Sequence, residues 1–333
     1  QLYLINVLNK VLLITNIDDP HADAVIKKFK NKQGVFRVNT DFILSTFQYE
    51  FFIENDINHT IFTNPNGDVI NLDNISAVYY RRPEKPSVNL DDLLMKVAVD
   101  EAWHGMYHLL FNSFDKPWLG HPHKDKYASS RVVQLNLAKK NGWRVPPTII
   151  SKNVKEIRDF AFKHKELALK PLGEKGVCLM DEWVPYFTSK FSYEELDSKL
   201  DEEISLTYNY LQAYIPKKNE WRITVIGEDV FPCIIHSQEC DESKVDWRTI
   251  DYDSILHEKG EISDKFKNEL VQYLKLLNIP FGAFDFILTP ENEFVFLECN
   301  PNGQWLWIEE LTGMPISQSI ANWLEKINND FIS

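Results

Sequence analysis

The sequence has few cysteines, and none of them is spaced for a metal or redox motif. The four cysteines are Cys178, Cys233, Cys240 and Cys299, and no two of them form a Cys-x-x-Cys pair. Because they lie in strand-like contexts, we expect them to be reduced core residues of a cytoplasmic protein.

Long apolar runs and an excess of basic residues are lacking as well. No stretch has the roughly 20 apolar residues that a membrane-spanning helix needs. The apolar segment Leu2–Leu13 has neither a basic start nor a small-residue cleavage site, so we do not expect a signal peptide. The net charge of −13 at pH 7 disfavours non-specific binding to nucleic acid or to an anionic membrane, and it allows a basic partner.

The pattern that is present is that of an α/β protein. A length of 333 residues predicts two or three lobes, and a hydrophobic content of 44% supports a substantial core. The apolar run Lys10–Thr15, the helical spacing of His21–Lys30 and the strand pattern of Val35–Val38 predict a β-α-β start and an open sheet. This start contains no G-x-G-x-x-G and no G-x-x-x-x-G-K-[ST] motif, so the dinucleotide and P-loop fingerprints are excluded.

Helical periodicity recurs along the rest of the chain. It predicts a long helix at Leu90–Phe111 with an inward stripe of Leu93, Leu94, Val97, Trp103, Met106, Tyr107 and Leu110. A second helix is predicted at Tyr127–Asn141 with Val132, Leu135 and Ala138 inward. Further helices are predicted at Val154–His164, Tyr193–Leu200, Lys265–Leu277 and Gln318–Ile327.

Strand patterns in the first third of the chain end in a pair of arginines. Antiparallel strands are predicted within Phe47–Phe62, with a hairpin turn at Asn64–Gly67, and a buried strand at Ile75–Tyr80. Arg81 and Arg82 follow this last strand. The pair can meet a carboxylate or a phosphate, or it can form a solvated basic turn, and the sequence leaves both interpretations open.

The stretch Phe281–Glu309 is the centre of the prediction, because it is expected to form a β-hairpin that carries a metal site. Asp285 lies on its first strand, and Glu298 and Asn300, which point to one side, end the second. Antiparallel pairing brings the three together. Two carboxylates and an amide oxygen are hard donors that suit Mg²⁺ holding nucleotide phosphates. The alternative is that these acids are solvated at the end of an ordinary hairpin.

Two further segments favour nucleotide binding. Lys170 lies inside an apolar run, where a lysine must reach solvent or find an anion, and Gly173 and Gly176 flank a loop that can close over phosphates. The strand Tyr208–Ile215 is stopped by Pro216, and we expect it to expose backbone N–H and C=O groups at an edge that can recognise adenine.

The order of these segments resembles that of an ATP-grasp ligase. A lysine, several arginines, a strand edge and a metal trio together suit nucleotide triphosphate chemistry. The resemblance is carried by Arg131-Val-Val-Gln-Leu, Gly142–Thr148, Ala168-Leu-Lys-Pro, Gln212-Ala-Tyr-Ile-Pro-Lys-Lys, and Asp285 with Phe-Leu-Glu-Cys-Asn-Pro-Asn-Gly-Gln-Trp-Leu-Trp. That closing stretch and Val245-Asp-Trp-Arg are similar to the microviridin-type branch, the graspetide macrocyclases, which crosslink side chains of ribosomally made peptides.

The resemblance implies a fold of the α/β (α+β) class with three parts. Residues 1–120 would form a Rossmann-like domain that precedes the ATP-grasp part, residues 121–215 a central subdomain with a lid, and residues 216–333 a C-terminal subdomain with the metal site. The matching motifs run from about Tyr127 to Ile327, and the segment before them fits the pre-grasp domain only loosely.

The resemblance also implies roles for the nucleotide site. Lys170 would contact the α- and β-phosphates, and Arg131 stands where the family usually has a second lysine. Gln212 and the backbone at Tyr214 and Ile215 would hold adenine. The remaining implied nucleotide and metal residues are Glu220 for the ribose hydroxyls and Asp285, Glu298 and Asn300 for Mg²⁺.

Roles in catalysis and peptide binding follow in the same way. Arg222 and Arg248 would clamp the γ-phosphate and the acyl phosphate. The family binds a helical leader segment of its precursor, and Glu174, Asp181 and Glu182 are candidate partners for basic residues of such a leader.

The implied activity is ATP-dependent ligation within a ribosomal precursor peptide. An Asp or Glu side-chain carboxylate is phosphorylated, and a Ser or Thr hydroxyl then forms an ω-ester, whereas a lysine would form an amide. The implied cofactors are ATP and Mg²⁺, and a homodimer is expected from the resemblance alone.

Two other functions remain open. An ATP-grasp ligase that adds an amino acid to a small molecule or to a protein terminus would share every nucleotide residue, so only the Asn-Pro-Asn-Gly-Gln-Trp-Leu-Trp and Val-Asp-Trp-Arg stretches favour the macrocyclase. A nucleotide-dependent binding protein without turnover is the third hypothesis, and the complete metal trio counts against it.

Overall fold

A computed structural model describes residues 10–42, 48–54, 57–63, 67, 69–84, 91–112, 115–173, 176–179 and 182–330 of the chain. The predicted hairpin turn at Asn64–Gly67 lies, except for Gly67, outside these residues. Among the described residues, no helix combines the length and the apolar character needed to cross a membrane.

The N-terminal part contains a parallel sheet and a separate antiparallel sheet. Its strands are β1 (Lys10–Thr15), β2 (Val35–Asn39), β3 (Gln48–Glu54), β4 (Ile57–Thr63), β5 (Val69–Asn71), β6 (Ile75–Tyr80) and β7 (Trp118–Leu119). The parallel sheet has the order β2-β1-β6-β7, and β3, β4 and β5 form the other. The predicted β-α-β start is therefore present, with helix α1 (Pro20–Lys28) between β1 and β2. Helix α2 (Leu93–Asn112) precedes β7.

The middle of the chain forms a four-stranded antiparallel sheet, called the middle sheet here, and a separate two-stranded hairpin. Its strands are β8 (Thr148–Ser151), β9 (Glu166–Lys170), β10 (Gly176–Leu179), β11 (Glu182–Pro185), β12 (Ser189–Ser192) and β13 (Asn209–Ala213). The sheet order is β12-β9-β13-β8, and β10 and β11 pair as a separate hairpin. The helices of this part are α3 (Pro122–Ala128), α4 (Arg131–Lys140), α5 (Val154–His164), α6 (Tyr193–Asp197) and α7 (Asp201–Ser205).

The C-terminal part is a five-stranded antiparallel sheet that carries the predicted hairpin. Its strands are β14 (Asn219–Ile226), β15 (Asp229–Ile235), β16 (His257–Lys259), β17 (Phe281–Leu288) and β18 (Phe294–Asn300), in the order β16-β15-β14-β17-β18. Three helices follow or interrupt it, namely α8 (Asp264–Leu277), α9 (Leu306–Thr312) and α10 (Ile316–Asp330). The short helix α9, directly after the hairpin, was not predicted from the sequence.

Short 3₁₀ turns complete the described chain. They lie at Lys32–Gly34, Thr40–Phe42, Leu72–Asn74, Asp241–Ser243, Trp247–Thr249 and Tyr252–Ser254. The turn at Trp247–Thr249 contains one of the two predicted catalytic arginines.

One apolar cluster joins the two ends of the chain. It combines Val11 and Leu13 of β1 with Ile320 and Leu324 of α10, all of them fully buried. Trp305, just before α9, belongs to the same cluster. This cluster packs the first sheet against the last helix.

A second cluster places the helix pair α3 and α4 on the C-terminal sheet. Ala128 and Ala138 pack there with Leu270 and Tyr273 of α8 and with Phe296 of β18. The helix predicted at Lys265–Leu277 is confirmed as α8, and α4 lies directly behind the strand that carries two of the metal candidates.

Two details of the predicted helices are wrong. The single helix expected at Tyr127–Asn141 is two helices, α3 and α4, separated at Ser129 and Ser130. Of the expected inward residues, Ala138 is fully buried but Val132 is 54% exposed, whereas Gln134, which was not expected to face inward, is fully buried. The sequence pattern cannot show this, because the inward face of α4 is chosen by a polar partner on β18.

The apolar stripe expected on α2 is also wrong at its first turn. Leu93 and Leu94 are 75% and 77% exposed. Among the side chains of α2 that the structure describes, Trp103 and Met106 of the expected stripe reach the apolar cluster of the parallel sheet. The periodicity of the helix was therefore informative, but the sheet lies against only part of its length.

Candidate active site

A cavity of about 1,100 Å³ opens where the three sheets meet. It is lined by residues from the ends of the parallel strands, from the middle sheet and from the C-terminal hairpin. All of the predicted nucleotide, metal and catalytic residues line it: Arg131, Lys170, Gln212, Tyr214, Ile215, Glu220, Arg222, Arg248, Asp285, Glu298 and Asn300. The convergence of the lysine with the metal trio, on which the sequence interpretation depended, is present.

The trio forms as the hairpin register predicts. Asp285 on β17 lies opposite Glu298 on β18, and the register shifts directly after Asp285. The amide nitrogen of Asn300 donates to Oδ2 of Asp285 at 3.1 Å and to Oε1 of Glu298 at 2.9 Å. These three oxygen-bearing side chains are therefore within contact of one another at the cavity wall.

The chemistry of this donor set fits a hard divalent cation. Two carboxylates and an amide oxygen are ligands that Mg²⁺ takes, with water and phosphate oxygens completing the shell. Within the described residues no group of three His, Cys, Asp or Glu side chains is arranged to hold a metal ion. The trio has only two carboxylates, so it suits a cation that also binds phosphate oxygens rather than one enclosed by protein alone.

Guanidinium groups neutralise both carboxylates of the trio. Nη1 of Arg222 on β14 donates to both oxygens of Asp285, at 2.7 and 2.8 Å. Arg131, the first residue of α4, forms an ion pair with Glu298. Each carboxylate is therefore held at the cavity wall by a guanidinium.

Lys170 ends β9 and enters the same electrostatic neighbourhood. Burial lowers its pKa to about 8, the carboxylate of Glu298 opposes this, and Arg131 and Arg248 lower it further. A lysine that is costly to charge and surrounded by other cations gains from an anionic ligand. Its position favours phosphate binding rather than a purely structural role.

Arg248 is held by an acid that the sequence analysis did not single out. Its Nε and Nη2 donate to the two oxygens of Asp246 at 2.8 and 2.5 Å. Burial disfavours the charge on Asp246, but these hydrogen bonds outweigh it and lower its pKa to about 2. Asp246 also accepts from the backbone N–H of Thr188 at 3.0 Å, which ties the arginine to the middle sheet. In the sequence, the position of Asp246 two residues before Arg248 was the feature that could have indicated this pair.

The predicted open edge for adenine is wrong for the strand itself, whereas the adenine role of the backbone at Tyr214 and Ile215, which follow β13, stays a prediction. Strand β13 lies between β8 and β9 and pairs with both, so it is an inner strand. The backbone N–H of Tyr214 donates to the carbonyl of Glu166 at 2.9 Å. The error arose because the sequence shows where a strand stops but not which strands flank it.

Gln212 on β13 retains a polar atom for a ligand. The side chain is buried at the cavity, and its Nε2 donates to Oγ1 of Thr148 at 3.0 Å. Its Oε1 is buried and has no hydrogen-bond partner within the described residues. A buried carbonyl oxygen without a donor is costly, and an amine of a bound base can satisfy it.

Glu220 has a partner already. Nζ of Lys217 donates to its Oε1 at 2.7 Å and to the carbonyl of Val245 at 3.0 Å. Burial raises the pKa of Glu220, and the lysine opposes this rise. The predicted contact with ribose hydroxyls therefore remains a prediction.

Gln134 is a structural support that the sequence analysis missed. It lies fully buried on α4, and its Nε2 donates at 2.6 Å both to the carbonyl of Ala128 and to that of Cys299. Its Oε1 accepts from the backbone N–H of Cys299 at 3.0 Å. Because Cys299 lies between two members of the trio, Gln134 fixes the backbone that presents them. A glutamine within an apolar helix pattern was the signal.

The arginine pair after β6 divides into a buried and an exposed residue. Arg81 is 1% exposed, and its Nη1 donates to the carbonyl of Asn302 at 2.8 Å. Arg82 is exposed and lines the cavity. The interpretation of the whole pair as a solvated turn is therefore wrong for Arg81.

The predicted leader-binding acids are only partly described. Glu174 and Asp181 lie outside the described residues. Glu182 begins β11, in the hairpin of β10 and β11. Their role stays a prediction.

Comparisons with known proteins extend the resemblance to the whole chain. The family model described as the MvdD pre-ATP grasp domain matches residues 10–126, which is the part that the sequence motifs covered only loosely. Comparison with curated protein sequences yields no match.

Three solved structures are similar over nearly the full length. A RiPP-associated ATP-grasp ligase from Chryseobacterium gregarium, in complex with ADP and a leader and core peptide, is 27% identical with a TM-score of 0.86, covering 96% of this chain and 97% of that one. The macrocyclase MdnC from Microcystis aeruginosa, bound with the precursor peptide MdnA, is 26% identical with a TM-score of 0.81. MdnB from the same organism is 26% identical with a TM-score of 0.75. Both cover 95% of this chain, which in turn covers 99% of each.

Proposed function

The chain belongs to the ATP-grasp ligases of the microviridin type, and from this premise we propose that it uses Mg-ATP to join side chains of a ribosomally made precursor peptide. It activates an Asp or Glu carboxylate as an acyl phosphate and transfers it to a Ser or Thr hydroxyl, which closes an ω-ester ring. The observation that carries the proposal is the convergence of Lys170 and three arginines on the metal trio in one cavity.

The nucleotide is proposed to lie between the middle sheet and the C-terminal hairpin. The Chryseobacterium relative was solved with ADP, and this chain has the cations that such a ligand needs. We assign the α- and β-phosphates to Lys170 and Arg131, and adenine to Gln212 with the backbone at Tyr214 and Ile215. Oε1 of Gln212 is suited to the adenine amine because it otherwise has no donor within the described residues. Glu220 is assigned to the ribose hydroxyls.

Mg²⁺ is assigned to Asp285, Glu298 and Asn300. In this structure the amide nitrogen of Asn300 faces the two carboxylates, so its oxygen must turn inward to serve as a ligand. A bound Mg²⁺ would neutralise phosphate charge and hold the β- and γ-phosphates in place. The ion pairs of Arg222 and Arg131 with the two acids keep the site assembled without it.

Two balanced steps make up the reaction. A carboxylate oxygen of the substrate attacks the γ-phosphorus, the bond to the β,γ-bridging oxygen breaks, and ADP leaves. The substrate hydroxyl oxygen then attacks the acyl carbon, the bond to the phosphate oxygen breaks, and inorganic phosphate leaves while the hydroxyl proton passes to a base. Arg222 and Arg248 are assigned to the charge that develops on the transferred phosphoryl group in the first step and on the leaving phosphate in the second.

The finer parts of the proposal concern the product and the assembly. Ester formation through a hydroxyl is preferred, with an amide from a lysine as the variant. A leader with basic residues would dock beside Glu174, Asp181 and Glu182, and raise the effective concentration of the core at the cavity. We further propose that the protein forms a homodimer and is located in the cytoplasm. Its domains are proposed to meet at residues 120/121 and 215/216.

Mass spectrometry tests the function directly. The enzyme is incubated with Mg-ATP and the short peptide encoded beside its gene. The proposal predicts that the peptide loses the mass of one water for each bond formed, with one ADP released for each. A gain of an amino-acid residue would instead identify the ligase that extends a substrate, and a peptide of unchanged mass with no ADP would contradict both.

Substitutions locate the activity in this cavity. Lys170→Met and Glu298→Gln should each lower peptide-dependent ADP release by about 100-fold, the range of losses seen when a group that stabilises transition-state charge is removed. The exposed Lys163→Met and Glu261→Gln serve as matched controls and should stay near the wild type. Unchanged turnover in the first two variants would mean that the chemistry takes place elsewhere.

A further inference from the structure

The strand β6 ends in a turn whose backbone is strained at one residue. Arg82 has a φ of +43°, a region that residues with a side chain rarely adopt. Such strain costs free energy and persists only where the surroundings enforce it, and it is concentrated at functional sites. The strain at Arg82 therefore indicates a functional role for this residue.

Neighbouring contacts enforce the strained turn. The side-chain amide of Asn16 donates to the carbonyl of Arg82 at 2.8 Å. The backbone N–H of Arg81 donates to Ile14 at 2.9 Å, and its buried side chain is anchored on Asn302. The chain on both sides of the strained residue is thus fixed. The backbone conformation of Arg82 is therefore set by these contacts and not by the intrinsic preference of an arginine.

Gln304 lies between the side chain of Arg82 and that of Arg222. The side-chain amide of Gln304 is 2.7 and 3.3 Å from its two terminal nitrogens, so the amide oxygen, turned toward them, accepts from both. The backbone carbonyl of the same glutamine accepts from Nη2 of Arg222 at 3.3 Å. One residue therefore separates Arg82 from the arginine that holds Asp285.

The charge of Arg82 is not matched as those of the other cavity arginines are. Among the described residues, each of the other three guanidinium groups that line the cavity pairs with a carboxylate, and no carboxylate lies within 4.0 Å of Arg82. The matched pairs are Arg131 with Glu298, Arg222 with Asp285 and Arg248 with Asp246. Arg82 instead faces the neutral amide of Gln304 and the open cavity.

We propose that Arg82 is the receptor for the substrate carboxylate, the Asp or Glu side chain of the peptide that is to be phosphorylated. A guanidinium binds a carboxylate through two parallel hydrogen bonds, which fixes its orientation as well as its position. Across Gln304, Arg222 then faces the phosphoryl group that this carboxylate attacks. The inference rests on the proposed function. It places the binding site for the Asp or Glu side chain of the substrate at the end of the N-terminal parallel sheet.

Two variants separate this role from a structural one. Arg82→Gly and Arg82→Ala both remove the guanidinium, but only glycine adopts a positive φ without strain. We expect Arg82→Gly to melt about 2–4 °C higher than Arg82→Ala, because relief of strain at a positive φ outweighs the greater backbone freedom that glycine gives the unfolded chain. If Arg82 were needed for folding, both variants would instead melt well below the wild type.

Binding is measured with two synthetic core peptides in the presence of Mg-ADP. One carries the ring-forming Glu, and the other has Gln in its place. The wild type should bind the Glu peptide at least tenfold more tightly, whereas both Arg82 variants should bind the two peptides within twofold of each other. Their affinity for ADP should equal that of the wild type. Arg144→Gln, which removes an exposed guanidinium paired with Glu293, is the control and should keep the full preference.

Three outcomes would overturn the inference. Retention of the Glu preference by both Arg82 variants would show that another group reads the carboxylate. A loss of ADP affinity with an intact Glu preference would assign Arg82 to a nucleotide phosphate. A wild type that releases no ADP with any such peptide would overturn the proposed function, and the inference with it.

Discussion

Gln134 offers a quantitative test of how the metal trio is held. The change Gln134→Met keeps the length of the side chain and removes its amide. It does not touch the cavity, because Gln134 is absent from the lining and is fully buried behind β18. Any effect on the site must therefore pass through the backbone at Cys299.

The expected loss follows from three hydrogen bonds. Gln134 donates to Ala128 and to Cys299 and accepts from the Cys299 N–H, at 2.6, 2.6 and 3.0 Å. Methionine would leave three buried backbone groups without these partners, at about 1–3 kcal/mol each. The added apolar surface of methionine returns about 1 kcal/mol. We therefore expect the free energy of unfolding to fall by about 2–8 kcal/mol.

Urea denaturation and hydrogen exchange measure the two parts of this effect. The urea midpoint reports the loss of stability, with the exposed Gln33→Met as the control that should stay within about 0.5 kcal/mol of the wild type. Exchange in a peptide that spans residues 298–300 reports the local part. In Gln134→Met it should be faster under native conditions, and the Mg²⁺ concentration needed for half-maximal activity should rise.

A small effect would refute this reasoning. If Gln134→Met unfolded within about 1 kcal/mol of the wild type and exchanged at the same rate at residues 298–300, the three bonds would contribute nothing net. If stability fell but the Mg²⁺ requirement did not change, the glutamine would support the fold without positioning the trio.

Two further predictions concern the cations of the cavity. With a pKa of about 8, Lys170 is charged below that pH and neutral above it, so the dissociation constant of ADP should rise about tenfold from pH 7 to pH 9. Calorimetry at both pH values should show this rise in the wild type and no rise in Lys170→Met. An equal rise in that variant would exclude the lysine as its source. Asp246→Asn removes a carboxylate that holds Arg248 and should lower the rate of peptide-dependent ADP release by about 10- to 100-fold without changing ADP affinity. Asp241→Asn, at an exposed ion pair, is the control and should keep the wild-type rate. A wild-type rate in Asp246→Asn would mean that Arg248 does not need this carboxylate.

Patterns confined to neighbouring residues were predicted well. The hairpin of β17 and β18 is specified by alternation and a turn, and its register brought Asp285 opposite Glu298 as expected. Lys170 was recognised because a charge inside an apolar run needs a reason. The amphipathic helices α5 and α8 were also predicted, because the spacing of their apolar residues can be recognised without knowing what the helices pack against.

Contacts between distant segments were not predicted. That β13 is an inner strand depends on β8 and β9, which flank it only after the sheet has assembled. The burial of Gln134 depends on backbone groups of Cys299, and the exposure of Leu93 on how much of α2 the parallel sheet covers.

The sequence by itself determined the periods of the secondary structure, the hairpin of β17 and β18 and the types of residue available for a nucleotide site, because each of these depends on neighbours along the chain. Only the tertiary structure decided which carboxylate each guanidinium neutralises, and it left Arg82 facing the cavity without one among the described residues. The physical reason is that ion pairing depends on distance in space, and residues far apart in the chain acquire that distance only when the sheets pack together.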